Sequence, residues 1–231
     1  MYRDRGPEEM RPVGEVEFAN GVAAMCSSGV FGKTRVAAGI VGHADMMLGS
    51  RVEPVLTALM RAGGERFRVY GNLPYYITSE ILLHLIAHHA AIDRAVLMVQ
   101  REVAERITAS PGSSDYGVLS ATMQLYGSVE LLFTLPPSAF APPPDVHSSV
   151  FRFRAQPRFQ ELGVATGEFI PFLRASFAQK RKTWANNLRN AGYASQAVAA
   201  ALSHAGLSPG VRAEAVDLPG MASVFRSLRK S

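Results

Sequence analysis

From Arg66 onward, the chain alternates short apolar runs with segments whose apolar residues recur at helical spacing. This alternation is typical of an α/β sheet whose strands are linked by crossover helices. The predicted strands are Phe67–Tyr70, Ala95–Gln100, Val129–Leu135 and Ser149–Phe153, and the predicted helices are Thr78–Ala90, Glu102–Thr108 and Tyr116–Tyr126. Because Ala95–Gln100 is almost continuously apolar, it predicts a strand buried on both faces of a parallel sheet.

The strand pattern stops after Arg158. Helical patterns follow at Gly167–Phe177, Arg181–Ala191, Ser195–His204 and Asp217–Leu228. A chain of 231 residues can hold one main core and a small second domain. We therefore predict a sheet domain over residues 56–157 and a small all-helical domain over residues 158–231. Residues 1–55 show no clear pattern, and their structure is not predicted.

Composition excludes several classes of protein. Apolar residues make up 48% of the chain and charged residues 19%, as in an ordinary folded domain. No window approaches the roughly 18 consecutive apolar residues of a membrane-spanning helix, and no leader-like pattern follows Met1, so we expect a cytoplasmic protein. Cys26 is the single cysteine. Because no Cys/His cluster has the spacing of zinc ligands, we expect no metal site.

The positive charge is concentrated in one part of the chain. The net charge is +5, and no Asp or Glu occurs between Phe169 and Ala213. The basic residues of that stretch are Arg174, Lys180, Arg181, Lys182, Arg189 and Arg212. A local excess of this kind indicates an anionic partner. A solvated helix face with no partner is the alternative.

The turn Asn72-Leu73-Pro74-Tyr75 follows a predicted strand, where α/β sheets bind their ligands. The Asn72 side-chain oxygen and the Leu73 carbonyl, which Pro74 holds outward, can accept the two N6 hydrogens of an adenine. These bonds would bias the nitrogen toward a tetrahedral nucleophile. Tyr75 offers a ring on which the extruded base can stack. Because Asn and Pro are common turn formers, a purely structural turn is the alternative.

Several segments carry a resemblance to a known family. They are Val69–Ser79, Met98–Arg106, Tyr116–Ser120, Phe140–Ser148 and Phe177–Thr183. In this order and at these spacings, they resemble the motifs of the ribosomal RNA small-subunit adenine dimethyltransferase family. The resemblance extends from about Leu56 to the C-terminus.

The resemblance implies a Rossmann-like methyltransferase sheet followed by a small helical domain that contacts RNA. The implied reaction transfers methyl groups from S-adenosylmethionine to N6 of adjacent adenines in a hairpin loop of small-subunit rRNA. Asn72 would border both the adenine and the cofactor, Tyr75 would stack on the base, and Phe140 would form a second aromatic wall. Core packing is the alternative for Phe140.

The basic run, together with its match to the family, predicts how the RNA is held. Phosphates would be contacted by Lys180, Arg181, Lys182 and Arg189. Trp184, which lies among these basic residues in the sequence, would stack on an unpaired base. The implied partner is the small ribosomal subunit precursor, and we expect the protein to act as a monomer. Gln100, Arg101, Glu102 and Arg106 either line a pocket or form an exposed first helical turn with i,i+4 ion pairs, and we favour the exposed turn.

The N-terminal part departs from the family pattern. Family members begin with a Gln-Asn-Phe-Leu type segment, a strand ending in a Glu-x-Gly-x-Gly loop, and acidic residues for the cofactor ribose and adenine. This sequence has none of these, and Val13–Glu17 lacks the paired glycines of such a loop. Ser28–Thr34 is similar to a phosphate loop, but Ser27 stands at the position where that loop has its first glycine. The sheet is therefore expected to lack its usual first strands, to lose most of the cofactor pocket and to expose an apolar edge. We hypothesise that the residues before about Val52 are a misread or replaced segment.

Two other functions agree with the same residues. The first is an RNA-binding ribosome-assembly factor that keeps the scaffold without catalysis. The second is a DNA adenine-N6 methyltransferase, which would use the Asn72 turn in the same way.

Overall fold

The structure of the protein is a computed structural model that describes residues 3, 5–29, 42–63 and 67–229. The chain forms two compact units. One comprises Met1–Val69 with Glu80–Asp93, and the other comprises Tyr70–Ser79 with Arg94–Ser231. The second unit contains both most of the sheet and the C-terminal helices. The domain division after residue 157 stays a prediction.

The described residues form one sheet of four strands in the order β1-β2-β4-β3. The strands are β1 Phe67–Asn72, β2 Ile92–Gln100, β3 Gly127–Leu135 and β4 Ser148–Ala155. The amide of Leu73 donates to the carbonyl of Met98 at 2.9 Å, so β1 and β2 end side by side. Ser148 lies opposite both Gln100 and Leu135 in the antiparallel registers. One edge of the sheet therefore gathers the carboxyl ends of β1, β2 and β3 and the amino end of β4.

The environment of β2 differs from its sequence prediction. The apolar run predicts burial on both faces of a parallel sheet, but β2 pairs antiparallel with β4. Burial alternates along the strand, with Ala95, Leu97 and Val99 buried and the residues between them half-buried. The reason is the connection, because β4 follows β3 through a loop and returns antiparallel without a crossover helix.

The α-helices are α1 Val13–Ser27, α2 Val52–Gly63, α3 Thr78–Ala87, α4 Arg101–Thr108, α5 Val118–Tyr126, α6 Phe159–Leu162, α7 Thr166–Ser176, α8 Trp184–Asn190, α9 Ser195–His204 and α10 Leu218–Arg229. Most lie close to their predicted bounds. The predicted helix at Arg181 instead begins at Trp184, because Thr183 caps it by accepting a hydrogen bond from the Asn186 amide at 3.3 Å. The single turn α6 is too short to give a periodic pattern.

In the first compact unit, a small apolar cluster joins α1 and α2. Val13 and Val16 of α1 pack with Val55 and Leu59 of α2. In the described parts of residues 5–63, the regular structure is helical, and no strand precedes β1. Val30–Thr34, the main part of the phosphate-loop-like segment, lies outside the described residues.

The second unit has a larger apolar core. Its largest buried side chains include Phe169 and Phe172 of α7, Trp184 of α8 and Phe225 of α10, and Leu125 of α5 belongs to the same cluster. Among the described residues, no helix is both long enough and apolar enough to cross a bilayer. Nor do three or more His, Cys, Asp or Glu side chains gather there as a metal site.

Candidate functional site

The Asn72–Tyr75 turn lies at the sheet edge where the strands end. Pro74 has φ −59° and ψ 130°, which turns the chain from β1 into the 3-10 turn Tyr75–Ile77. The Thr78 hydroxyl, at the start of α3, donates to the Pro74 carbonyl at 2.9 Å. This bond and the proline fix the turn between strand and helix.

Asn72 and Leu73 have different environments within this turn. The Leu73 side chain is 7% exposed, and its amide is bound to Met98. Asn72 is exposed. Within the described residues, neither the Asn72 side chain nor the Leu73 carbonyl has a hydrogen-bond partner. Both oxygens that the sequence proposes as acceptors are therefore available to a ligand.

Tyr75 is hydrogen-bonded to the first residue of β4. Its hydroxyl lies 2.6 Å from the Ser148 Oγ, and either atom can be the donor. Ser148 is fully buried at the start of β4, while Tyr75 is half-buried. The bond ties the turn after β1 to the strand that follows the proline loop.

Phe140 follows β3 in the chain and lies at the same edge of the sheet. A 3-10 turn, Pro137–Ala139, follows this strand, and the Phe140 amide donates to the Pro137 carbonyl at 3.1 Å. The Phe140 ring is half-buried. Tyr75 and Phe140 make no ring contact with each other in the described part of the chain. The fold thus brings both aromatic residues to one edge without packing them together.

The polar residues after β2 form the exposed helical turn favoured from the sequence. Arg101 and Glu105 of α4 are exposed and form an i,i+4 ion pair at 3.6 Å. The Arg101 amide donates to the His147 carbonyl at 2.9 Å, which fixes the end of the proline loop beside β2. An exposed pair of this kind contributes little to stability.

A second candidate site is the basic loop, which we define as residues 177–183 between α7 and α8. The Lys180 ammonium donates to the Ser114 carbonyl at 2.6 Å. Arg181 and Lys182 are exposed and make no side-chain contact with described residues. Asn187 is 3% exposed and donates to the carbonyls of Ser176 at 2.8 Å and Gln179 at 3.2 Å, so it holds the base of the loop. The loop therefore has a fixed base and two free cations.

Two residues of α8, next to the basic loop, differ in their exposure to solvent. Arg189 is exposed on α8, and its guanidinium donates to the Asn186 side-chain oxygen. Trp184 is 0% exposed and packs edge-on against Phe172, with ring centroids 6.1 Å apart. The suggestion that Trp184 stacks on an unpaired base is therefore wrong, because its ring is a central part of the core.

Tyr116, from another family-like segment, also has a packing role. Its side chain is 2% exposed and contacts the Phe177 ring at 5.9 Å between centroids. Burial, with a smaller contribution from Asp217, raises the pKa of Tyr116 to about 12. Tyr116 therefore stays a neutral phenol that supports the start of the basic loop.

The described residues do not fit a complete pocket for a nucleotide-like cofactor. Such pockets in α/β sheets use a strand followed by a glycine loop at a helix N-terminus. Ahead of β1, the described residues form α1 and α2, and no strand with such a loop is present among them. Asn72 is the one residue that the sequence proposes for this contact.

Solved structures define the class of fold. A dimethyladenosine transferase from Plasmodium falciparum is similar with a TM-score of 0.61 at 24% identity, over 71% of this chain and 66% of that chain. The 23S rRNA methyltransferase ErmE is similar with a TM-score of 0.53 at 22% identity, over 80% of this chain and 79% of that chain. The chain therefore has the Rossmann-like α/β fold of these methyltransferases.

Sequence comparison identifies the family. The profile of the ribosomal RNA adenine dimethylase family matches residues 18–230. A ribosomal RNA small subunit methyltransferase A from Acidobacterium capsulatum is 58% identical over 173 residues, which are 75% of this chain and 61% of the relative. The protein of the same name from Koribacter versatilis is 52% identical over 184 residues, 80% of this chain and 64% of the relative.

The chain belongs to the ribosomal RNA adenine dimethylase family. The aligned part spans less than two thirds of the length of each of these two relatives. The family profile begins at residue 18, upstream of the segment near Leu56 where the motif resemblance begins.

Sequence reasoning missed two residues of these sites. Ser148 lies within the family-like segment Phe140–Ser148, but its hydrogen bond to Tyr75 joins residues 73 positions apart and has no local pattern. Asn187 could be mistaken for an ordinary polar helix residue. Its burial is visible only once α7 and α8 are packed.

Proposed function

We propose that this protein dimethylates N6 of adjacent adenines in a hairpin loop of small-subunit rRNA, with S-adenosylmethionine as the methyl donor. The observation that carries this proposal is the pair of unpaired acceptors, the Asn72 side chain and the Leu73 carbonyl. They lie at the carboxyl ends of strands, where α/β sheets generally bind ligands, in a member of the ribosomal RNA adenine dimethylase family.

The residues of the turn would act on the adenine. The exocyclic N6 is a poor nucleophile because its lone pair is delocalised into the ring. Hydrogen bonds from its two N–H groups to Asn72 and Leu73 would favour a pyramidal nitrogen whose lone pair points out of the ring. The base must first leave its stack, and stacking on Tyr75 and Phe140 would offset that cost by about 1–3 kcal/mol for each ring.

The basic loop would hold the RNA backbone. Arg181 and Lys182 are free to neutralise phosphates, and Arg189 lies on the adjoining helix. Lys180 would contribute its charge while remaining bound to Ser114. We also propose a cytoplasmic monomer in which residues 158–231 form the RNA-contacting domain.

The cofactor contact involves Asn72. Asn72 would border S-adenosylmethionine, but the described residues supply no glycine loop for the rest of the molecule. The residues present support adenine binding and orientation.

Methyl transfer to undermethylated small ribosomal subunits tests the proposal. With labelled S-adenosylmethionine, we expect incorporation at adenine N6 by the unmodified protein and a decrease on the order of 100-fold for Asn72→Ala, since one transition-state contact is lost. Asn190→Ala, an exposed asparagine on α8, is the matched control and should retain the rate. Equal rates for Asn72→Ala and the unmodified protein, or a preference for duplex DNA, would contradict the proposal.

The second candidate is an RNA-binding ribosome-assembly factor without catalysis. It is favoured by the helices that occupy the described residues before β1, where the family has a strand and a glycine loop. Isothermal titration with S-adenosylmethionine separates the two functions. Saturable binding excludes this candidate, whereas RNA binding with no detectable cofactor binding supports it.

A further inference from the structure

One hydrogen bond crosses the candidate adenine site. The Tyr75 hydroxyl and the Ser148 Oγ lie 2.6 Å apart, although the residues are 73 positions apart in the chain. Ser148 is 0% exposed, and in the described residues its hydroxyl has Tyr75 as its partner. A buried hydroxyl that loses such a partner keeps its desolvation cost, so the pair is a strong constraint on both side chains.

Ser148 is a rigid point to which a tyrosine can be tied. It lies at the start of β4, opposite Gln100 of β2 and Leu135 of β3. A strand paired on both sides does not shift to follow a side chain. Rotation of Tyr75 about its Cα–Cβ bond would carry the phenol hydroxyl away from Ser148, so the bond selects one rotamer of the ring.

We propose that Ser148 is a positioning residue that holds the Tyr75 ring in the orientation in which it stacks on the target adenine. This inference rests on the proposed function, because it assigns Ser148 a role in that reaction. Ser148 itself touches neither the base nor the cofactor, and it acts through Tyr75. A ring fixed before RNA arrives avoids the entropy cost of ordering it during base capture.

The chain offers a matched control in the next residue. Ser149 is also 0% exposed on β4, and its hydroxyl lies 2.8 Å from the Thr134 hydroxyl. Ser148 and Ser149 therefore share residue type, burial and strand, but only Ser148 is bonded to the turn. A general effect of losing a buried serine hydroxyl would appear equally in Ser148→Ala and Ser149→Ala.

The experiment measures base capture directly. A small-subunit rRNA hairpin carries 2-aminopurine in place of a target adenine, and its fluorescence reports stacking while anisotropy reports overall RNA binding. We expect Ser148→Ala and Tyr75→Phe each to weaken base capture about fivefold, with little change in overall binding, since each removes one neutral hydrogen bond. The double variant should be no weaker than either single variant. Ser149→Ala should match the unmodified protein, and Ser148→Thr, which keeps a hydroxyl, should restore capture.

Base capture by Ser148→Ala equal to that of the unmodified protein would overturn the inference. So would independent, multiplied effects in the double variant, or an equal loss in Ser149→Ala, which would indicate a structural role alone. Thermal unfolding of each variant, followed by circular dichroism, shows whether a loss reflects unfolding. Failure of the unmodified protein to bind or methylate RNA overturns the proposed function instead, and the assignment of Ser148 with it.

Discussion

Asn72 and Leu73 are adjacent in the turn, yet they serve different purposes. Leu73 places its side chain in the interior and its amide on the neighbouring strand, so it anchors the turn. Asn72 is exposed and unpaired among the described residues, so it contributes an unused oxygen and amide. One residue is required by the fold, and the other is available for chemistry.

Substitution should separate these two roles. Leu73→Ala leaves a cavity and should lower the free energy of unfolding by about 2–5 kcal/mol. Asn72→Ala removes no internal contact and should change it by less than about 0.5 kcal/mol. Urea unfolding followed by circular dichroism measures both. A large loss of stability in Asn72→Ala would show that Asn72 has a structural role.

His88 should make stability depend on pH. Burial, then the nearby His84, lowers its pKa below the ordinary 6.5, with His89 acting in the same direction and Glu53 opposing it. The unfolded chain therefore binds this proton more readily than the folded chain does. The stabilisation is fully present above about pH 6.5 and is lost as the pH falls through the lower folded-state pKa.

Urea unfolding between about pH 5 and 7.5 tests this prediction. The decrease in stability at low pH should be smaller in His88→Gln than in the unmodified protein. His204→Gln, at the exposed end of α9, should keep the full dependence. The prediction fails if His88→Gln and the unmodified protein have the same profile.

At the scale of elements, hydrogen bonds to buried and neighbouring residues fix the base of the basic loop. Asn187 of α8 binds the carbonyls of Ser176 and Gln179, and Thr183 caps the same helix. Lys180 is attached to the Ser114 carbonyl. The free cations are therefore presented on a fixed loop, which reduces the cost of ordering them when a phosphate backbone binds.

The salt dependence of RNA binding should show whether Arg181 and Lys182 contact phosphates. Each phosphate contact contributes about one unit to the slope of log affinity against log salt concentration. Arg181→Gln should therefore lower both affinity and slope for a small-subunit rRNA hairpin. Arg106→Gln, which removes an exposed arginine from α4, controls for net charge and should leave the slope unchanged. Identical slopes for the two variants would contradict a role for the basic loop.

At the scale of the whole molecule, the apolar cluster around α1 differs from the one around α7 and α8. In the first unit, the cluster that holds α1 against α2 consists of a few aliphatic residues of these two helices. The cluster of the second unit includes Trp184 of α8, Phe169 and Phe172 of α7 and Phe225 of α10. More buried apolar area per residue gives a higher free energy of local opening.

Hydrogen exchange followed by mass spectrometry tests this difference. Amides of α1 should exchange faster than those of α7 and α8 at neutral pH. In α1, the buried residues are Val13, Val16 and Cys26, whereas α7 buries Phe169, Phe172, Leu173 and Ser176. Equal protection in α1 and α7 would mean that the first unit is stabilised by contacts other than this core.

The sequence alone determined the order of strands and helices from Phe67 onward except for α6, the strand-to-helix position of the Asn72 turn, the acid-free basic stretch and the family. These features depend on the periodicity of apolar residues, on residues with a restricted backbone such as Pro74, and on short motifs in a fixed order. Each can be recognised from residues that are close together in the sequence. Only the tertiary structure decided that β4 returns antiparallel, that Trp184 is buried, and that Ser148 binds Tyr75. Each of these depends on which distant segments pack together, because pairing and burial are set by contacts that no local pattern contains.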